Sequence, residues 1–105
     1  MILLSCSKNQ NIDAFIFSND TDSIVIGYSK LESKNTKYIN LIFEDPFNPS
    51  ISYTWRHYGE SIYHAKMRAM ERISGLTPPQ KITYMADTSI VEFYRKWAQG
   101  KGYLK

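Results

Sequence analysis

One cysteine, Cys6, stands in the whole chain. That excludes an intramolecular disulfide and a multi-cysteine zinc site, and a reducing compartment suits it. No apolar run approaches the ~18 residues of a membrane span, so the expectation is a soluble, cytoplasmic protein with no membrane partner. A secretory signal needs an apolar stretch of about 7 to 15 residues. Only Met1 to Leu4 precedes Ser5 and Cys6, so Leu3-Leu4-Ser5-Cys6 is not read as a lipoprotein cleavage box. Neither sign of charge dominates: thirteen Lys and Arg face ten Asp and Glu, a net +3. This bias permits a nucleic-acid partner without requiring one. Alanine is scarce, whereas Asn, Lys, Ile and Tyr are plentiful, a composition that suggests an AT-rich genome such as that of a virus or phage.

Apolar residues make up 43% of the 105 residues and charged residues 22%, enough to pack one core and too little for two. Without an internal repeat, linker or low-complexity tract, residues 1–105 read as a single domain. Two segments, Ile12 to Phe17 and Ser23 to Leu31, are rich in β-branched and aromatic residues. Ser18-Asn19-Asp20-Thr21-Asp22 between them has turn chemistry, which predicts a hairpin. Glu32-Ser33-Lys34-Asn35-Thr36 then leads to Tyr38 to Phe43, completing an antiparallel three-stranded meander. Met1 to Ser5 would extend or precede the first strand. Pro46 and Pro49 make the next segment a loop.

From about Tyr58 to Ser74 the apolar residues recur at helical spacing. At ~100° per residue, Ile62, Tyr63, Ala65, Met67, Ala69, Met70 and Ile73 share one broad side, and Gly75 ends the helix. Lys81 to Ala86 reads as a short buried strand. A last helix opens with a capping box, Ser89 and Glu92, and closes at Gly100 and Gly102. The predicted class is therefore α/β (α+β): meander, helix, strand, helix.

Three acids fall at telling places in that order. Asp13 lies in the first strand, within Ile12-Asp13-Ala14. Glu60 precedes the apolar helix Ser61-Ile62-Tyr63-His64-Ala65-Lys66-Met67-Arg68-Ala69-Met70. Asp87, in Asp87-Thr88-Ser89, ends the last strand. Over roughly residues 12 to 98 this arrangement resembles a trimmed ribonuclease H-like fold. The resemblance implies that Asp13, Glu60 and Asp87 hold Mg²⁺ or Mn²⁺ and that a metal-activated water cuts a phosphodiester. The chain also departs from that pattern. Ala14-Phe15 follows the first aspartate where Gly or Ser is usual, no acid follows Glu92, and the final strand and helix are missing. A member that binds without cutting is implied as well. Each acid also has a plain structural role: a solvent-facing Asp13, a Glu60 favoured near a helix N-terminus, and Asp87 as an N-cap.

Other chemistries are weaker. Asp20-Thr21-Asp22 starts like a calcium loop, but its sixth position is Val25 where glycine is needed. His57 and His64 could meet only if the chain before the helix curls back. Ser61 or Ser89 with a histidine lacks the glycines of a nucleophile elbow. Lys66 falls inside the apolar stripe, so it must pair, with Asp13 or Asp87 as candidates, or snorkel to an edge.

Binding features are stronger. Tyr53, Trp55, Arg56 and Tyr58 interleave aromatic and basic groups in a loop, suited to stacking on bases or anchoring a protein interface. Beyond Glu92 come Arg95, Lys96, Lys101 and Lys105 with no acid, a tail able to meet phosphates. Two readings stand. One is a nucleic-acid-directed or accessory binding protein, with metal-dependent cutting as an option. The other is a non-enzymatic viral or phage accessory or inhibitor protein that grips a host protein, working inside the host cell.

Overall fold

The computed structural model of the chain describes residues 12–105; Met1 to Ser5 and Cys6 lie outside the described residues. A helical turn at residues 12–16 (α1) is followed by α2 (Thr21–Ser29), then a 3₁₀ turn (Thr36–Tyr38) running into α3 (Ile39–Glu44). Two longer helices, α4 (Ile62–Ser74) and α5 (Thr88–Gly100), complete the order. Among the described residues helix accounts for 52% and strand for 2%, with no sheet. The expected three-stranded meander is therefore corrected to helices, and the strand order that carries the ribonuclease H-like resemblance is not the order found. Among the described residues, β pairing is limited to one antiparallel bridge between Ile51 and Ser61.

The period of burial explains the correction. Ile12 and Ile16 pack four apart, Ile24, Val25 and Tyr28 at one- and three-residue steps, and Ile39, Ile42 and Phe43 at three and one. Those are helical spacings, and a strand would bury every second residue. β-branched and aromatic composition is only a weak preference, and tertiary burial overrides it. Asp20, expected in a hairpin turn, is instead the N-cap of α2, accepting from the Ser23 backbone N–H at 3.2 Å and its Oγ at 3.0 Å. The expected strand at Lys81 to Ala86 is an irregular segment with Tyr84 and Met85 exposed and only Ile82 buried.

The long helices follow the sequence closely. Ser61 caps α4 by accepting from the His64 N–H at 2.9 Å, and Gly75 closes it at φ 73°. That moves the start to Ile62, four residues after the expected Tyr58. Asp87, not Ser89, caps α5, its carboxylate accepting from the Ser89 N–H and Oγ. This places a polar anchor at the head of a helix whose Ile90, Val91, Tyr94 and Ala98 are buried.

Helix α4 is the hub: α2 packs on it from one direction and α5 from another. Two of its cations reach the carbonyl ends of neighbouring helices. Arg72 donates from Nε to the Leu31 carbonyl and from a terminal nitrogen to that of Tyr28, both at 2.7 Å. Lys66, only 6% exposed, donates its ammonium to the Asp45 carbonyl at 2.7 Å and lies 5.6 Å from the centre of the Tyr28 ring. It pairs with neither Asp13 nor Asp87. Desolvation lowers the Lys66 pKa, while Asp45 and Glu44 oppose that. Tyr94 extends the tie, its hydroxyl donating to the Leu76 carbonyl at 2.8 Å.

Gly27 makes room where α1 crosses α2. A Cβ there would lie 2.7 Å from Ile16 Cγ1 and 2.9 Å from the Ile16 backbone nitrogen, and the backbone atom has no rotamer by which to move aside. Gly27→Ala should therefore lose stability by about 1 kcal/mol or more despite alanine's better helix propensity. Arg72→Ala removes the donor to the Leu31 carbonyl and one of the two donors to that of Tyr28, and should cost about 1.5 to 3 kcal/mol, the range for hydrogen bonds to charged groups. Urea unfolding followed by far-UV circular dichroism measures both, and an unchanged midpoint for Arg72→Ala would refute the capping role.

Candidate nucleic-acid interface

The chain between α3 and α4 forms a tied loop. Its mouth closes where the Ser52 N–H donates to the Glu60 carbonyl at 2.8 Å and the Gly59 N–H to the Ser52 carbonyl at 2.9 Å. Gly59 takes φ 83°, a left-handed turn in which a side chain would be strained. Inside, the His57 N–H donates to the Thr54 carbonyl and the Glu60 N–H to that of His57. Asp22 of α2 fastens the base, accepting from the Ser52 Oγ at 2.9 Å and the Tyr53 N–H at 2.8 Å. Those donors hold its carboxyl below the ordinary aspartate range.

The tip faces solvent. Tyr53 is 71% exposed, Trp55 85% and Tyr58 68%, so none of them closes the core over α4. The Tyr53 and Tyr58 rings are tilted with centres 5.8 Å apart, and the Arg56 guanidinium lies 5.4 Å from the centre of the Trp55 ring. Beside Trp55 and Arg56 opens a cleft of about 670 Å³, lined also by Ile26, Ser29 and Lys30 at the end of α2.

Behind the tip, Glu60 holds two histidines. Its Oε1 meets His57 Nδ1 at 3.0 Å and its Oε2 meets His64 Nδ1 at 2.8 Å. Burial pushes the Glu60 carboxyl upward, but the hydrogen bonds and charge of His64 and His57 outweigh it and leave its pKa below the ordinary value. An ionised carboxylate only accepts, so both Nδ1 atoms carry protons and both Nε2 atoms are left free. The three side chains line two smaller cavities, one walled by Arg56 and Tyr84 and the other by Arg68 and Arg72.

The remaining predicted residues lie apart from this group. Asp13, on α1, accepts from the Tyr38 hydroxyl, and Tyr38 is pushed up to about 12 by its burial and by that bond. Asp87 caps α5 and is held below the ordinary aspartate range by the Ser89 donors. Glu60 serves the histidines. Among the described residues no three of His, Cys, Asp and Glu converge as an ion-binding group, so the Asp13, Glu60 and Asp87 set implied for Mg²⁺ or Mn²⁺ is not brought together. Arg95 donates to Glu92 at 3.1 Å and covers the Phe43 ring at 5.2 Å. Lys96 and Lys101 are exposed. The cavities beside the loop take their walls from α2 and the residue that caps it, the loop, α4 and Tyr84, with none from α5.

Asp22 and Lys30 were absent from the expected site, since both belonged to the supposed hairpin. A local signal for the histidine pair does exist. Glu60 and His64 are four apart and His57 precedes Glu60 by three, spacings at which side chains meet across a helical or tight-turn start. Among the described residues no helix is long and apolar enough to cross a membrane. No protein-family model, curated protein or solved structure matches the chain.

The depressed pKa of Glu60 fixes the sign of its pH dependence. Folding favours its ionised form, so its contribution is complete above the unfolded value, about 4.3 for glutamate. The contribution disappears as pH falls through the lower folded value. Glu60→Gln should thus be less stable than the parent near neutral pH, with the gap closing as pH falls below about 4.3. Urea midpoints measured at and below that pH check it, and a gap that goes on widening there would contradict the assignment.

Proposed function

We propose that this protein binds single-stranded nucleic acid through the loop from Tyr53 to Tyr58. The observation that carries the reading is the exposure of three aromatic rings on six consecutive residues with a guanidinium stacked on one of them. Large rings held in water by a tied loop gain no burial within the chain, whereas every nucleobase has a face to stack on them. Duplex bases are already stacked, so the partner is a strand with unpaired bases. Lys30 and Arg56, which both line the adjacent cleft, suit the phosphates that run between those bases. Lys96 and Lys101, exposed on and just beyond α5, would add long-range attraction.

The same rings could anchor a protein interface, as Tyr, Trp and Arg often do, and this is the accessory-protein alternative. The cationic walls favour a polyanion. No metal-dependent step enters the proposal.

Anisotropy titrations of a labelled oligouridylate and an oligothymidylate test it. Both should bind, and Trp55→Ala should weaken binding about 5- to 100-fold, the equivalent of one lost base–aromatic stack. Arg56→Ala should also make the dependence of log K on log salt shallower by about 0.7, one phosphate contact on a single strand. Failure of either oligonucleotide to saturate the protein, or binding indifferent to Trp55, would refute the proposal.

A further inference from the structure

We infer that His57 and His64 form a metal-free acid–base pair that cleaves bound RNA by internal transphosphorylation. This rests on the nucleic-acid reading above and names the reaction at the same site. The geometry that carries it is one carboxylate shared between two imidazoles. Glu60 takes the Nδ1–H of His57 on one oxygen and that of His64 on the other, at 3.0 and 2.8 Å. It therefore fixes both rings in the same tautomer and leaves both Nε2 atoms for chemistry. The histidine side chains are 21% and 23% exposed, so they are reachable yet partly shielded from water. Both line the cavities that open beside the aromatic loop, and His57 also lines the cleft that holds Lys30 and Arg56.

Two imidazoles without a metal ion are poorly equipped to drive water onto a DNA phosphodiester. RNA carries its own nucleophile. In the step proposed, the neutral imidazole takes the proton of a 2′-hydroxyl as that oxygen attacks the adjacent phosphorus. The P–O5′ bond breaks, and the leaving 5′-oxygen takes a proton from the imidazolium on the other side. The products are a 2′,3′-cyclic phosphate and a 5′-hydroxyl. No atom or electron is left over, and the two imidazoles end with their protonation states exchanged. Glu60 is a positioning residue: it holds both rings by their Nδ1–H groups. Arg56, which lines one of those cavities with both histidines, is the cation for the negative charge that gathers on the phosphate.

The test uses the full chain with a uridine-rich RNA and the DNA of the same sequence, in excess EDTA, with products resolved on a gel and their ends typed chemically. RNA should be cut to 2′,3′-cyclic phosphate ends and the DNA left whole. His57→Ala and His64→Ala should each lower the rate by at least about 100-fold, the usual share of one acid or base, and His64→Ala, outside the binding loop, should still bind the DNA. Glu60→Gln should lower kcat and leave KM close to the parent value. RNA bound but left intact would overturn this inference and leave the binding proposal standing. Cleavage that persists in both histidine variants, or that EDTA abolishes, would overturn it too. If neither nucleic acid binds, the binding reading falls and this inference falls with it.

Discussion

Cations projected from α4 onto the carbonyl ends of α2 and α3 hold this fold together. Neither α2 nor α3 carries a basic residue in its own last turn, and Lys30 stands only at the C-cap of α2. Arg72 donates to the Tyr28 carbonyl of α2 and to that of Leu31 just beyond it, and Lys66 donates to the chain leaving α3. Because both cations sit on one helix, satisfying those carbonyls also sets where α2 and α3 lie. The apolar contacts then fill in around Val25, Tyr28, Ile39, Ile42, Met67 and Met70. Lys66 is tolerated in the apolar stripe because a carbonyl accepts from its ammonium. Among the described residues, no buried side-chain nitrogen or oxygen lacks a partner.

The candidate site inherits its rigidity from this frame. Asp22 on α2 ties down the base of the loop and Glu60 at the head of α4 ties down its far limb. Loop geometry thus depends on how α2 meets α4, which Arg72 helps to fix. A loop secured at both ends can hold aromatic rings in water without letting them collapse onto the core. The same anchoring keeps two imidazoles on one carboxylate, and it links the binding surface to the inferred chemistry.

Legibility varied along the chain for physical reasons. Helix α4 was readable because its amphipathic period spans more than three turns and ends at Gly75. Helix α5 was readable for similar reasons, with polar residues at its head to cap it. The first half was misread because Ile12 to Phe17, Ser23 to Leu31 and Tyr38 to Phe43 are short and β-branched, and composition outweighed the helical spacing of their buried positions. That reading put Asp13 in a strand and the one over Lys81 to Ala86 put Asp87 at a strand end, although the first bonds Tyr38 and the second caps α5. The aromatic-basic loop was found from sequence because no regular element competes for Tyr53, Trp55, Arg56 and Tyr58. Its anchor Asp22 was not found, since the bond spans thirty-one residues.

The sequence by itself determined a domain-sized length, two amphipathic helices with the glycine that ends the first, and a loop in which aromatic and basic residues alternate. These are local properties, written in spacing and in residue chemistry within a few turns. Only the tertiary structure decided that the first half is helical, that Lys66 and Arg72 cap other helices, and that His57 and His64 share Glu60. Each of those depends on burial or on a partner distant in sequence. Short segments adopt whichever backbone lets them bury their apolar residues against the rest of the molecule.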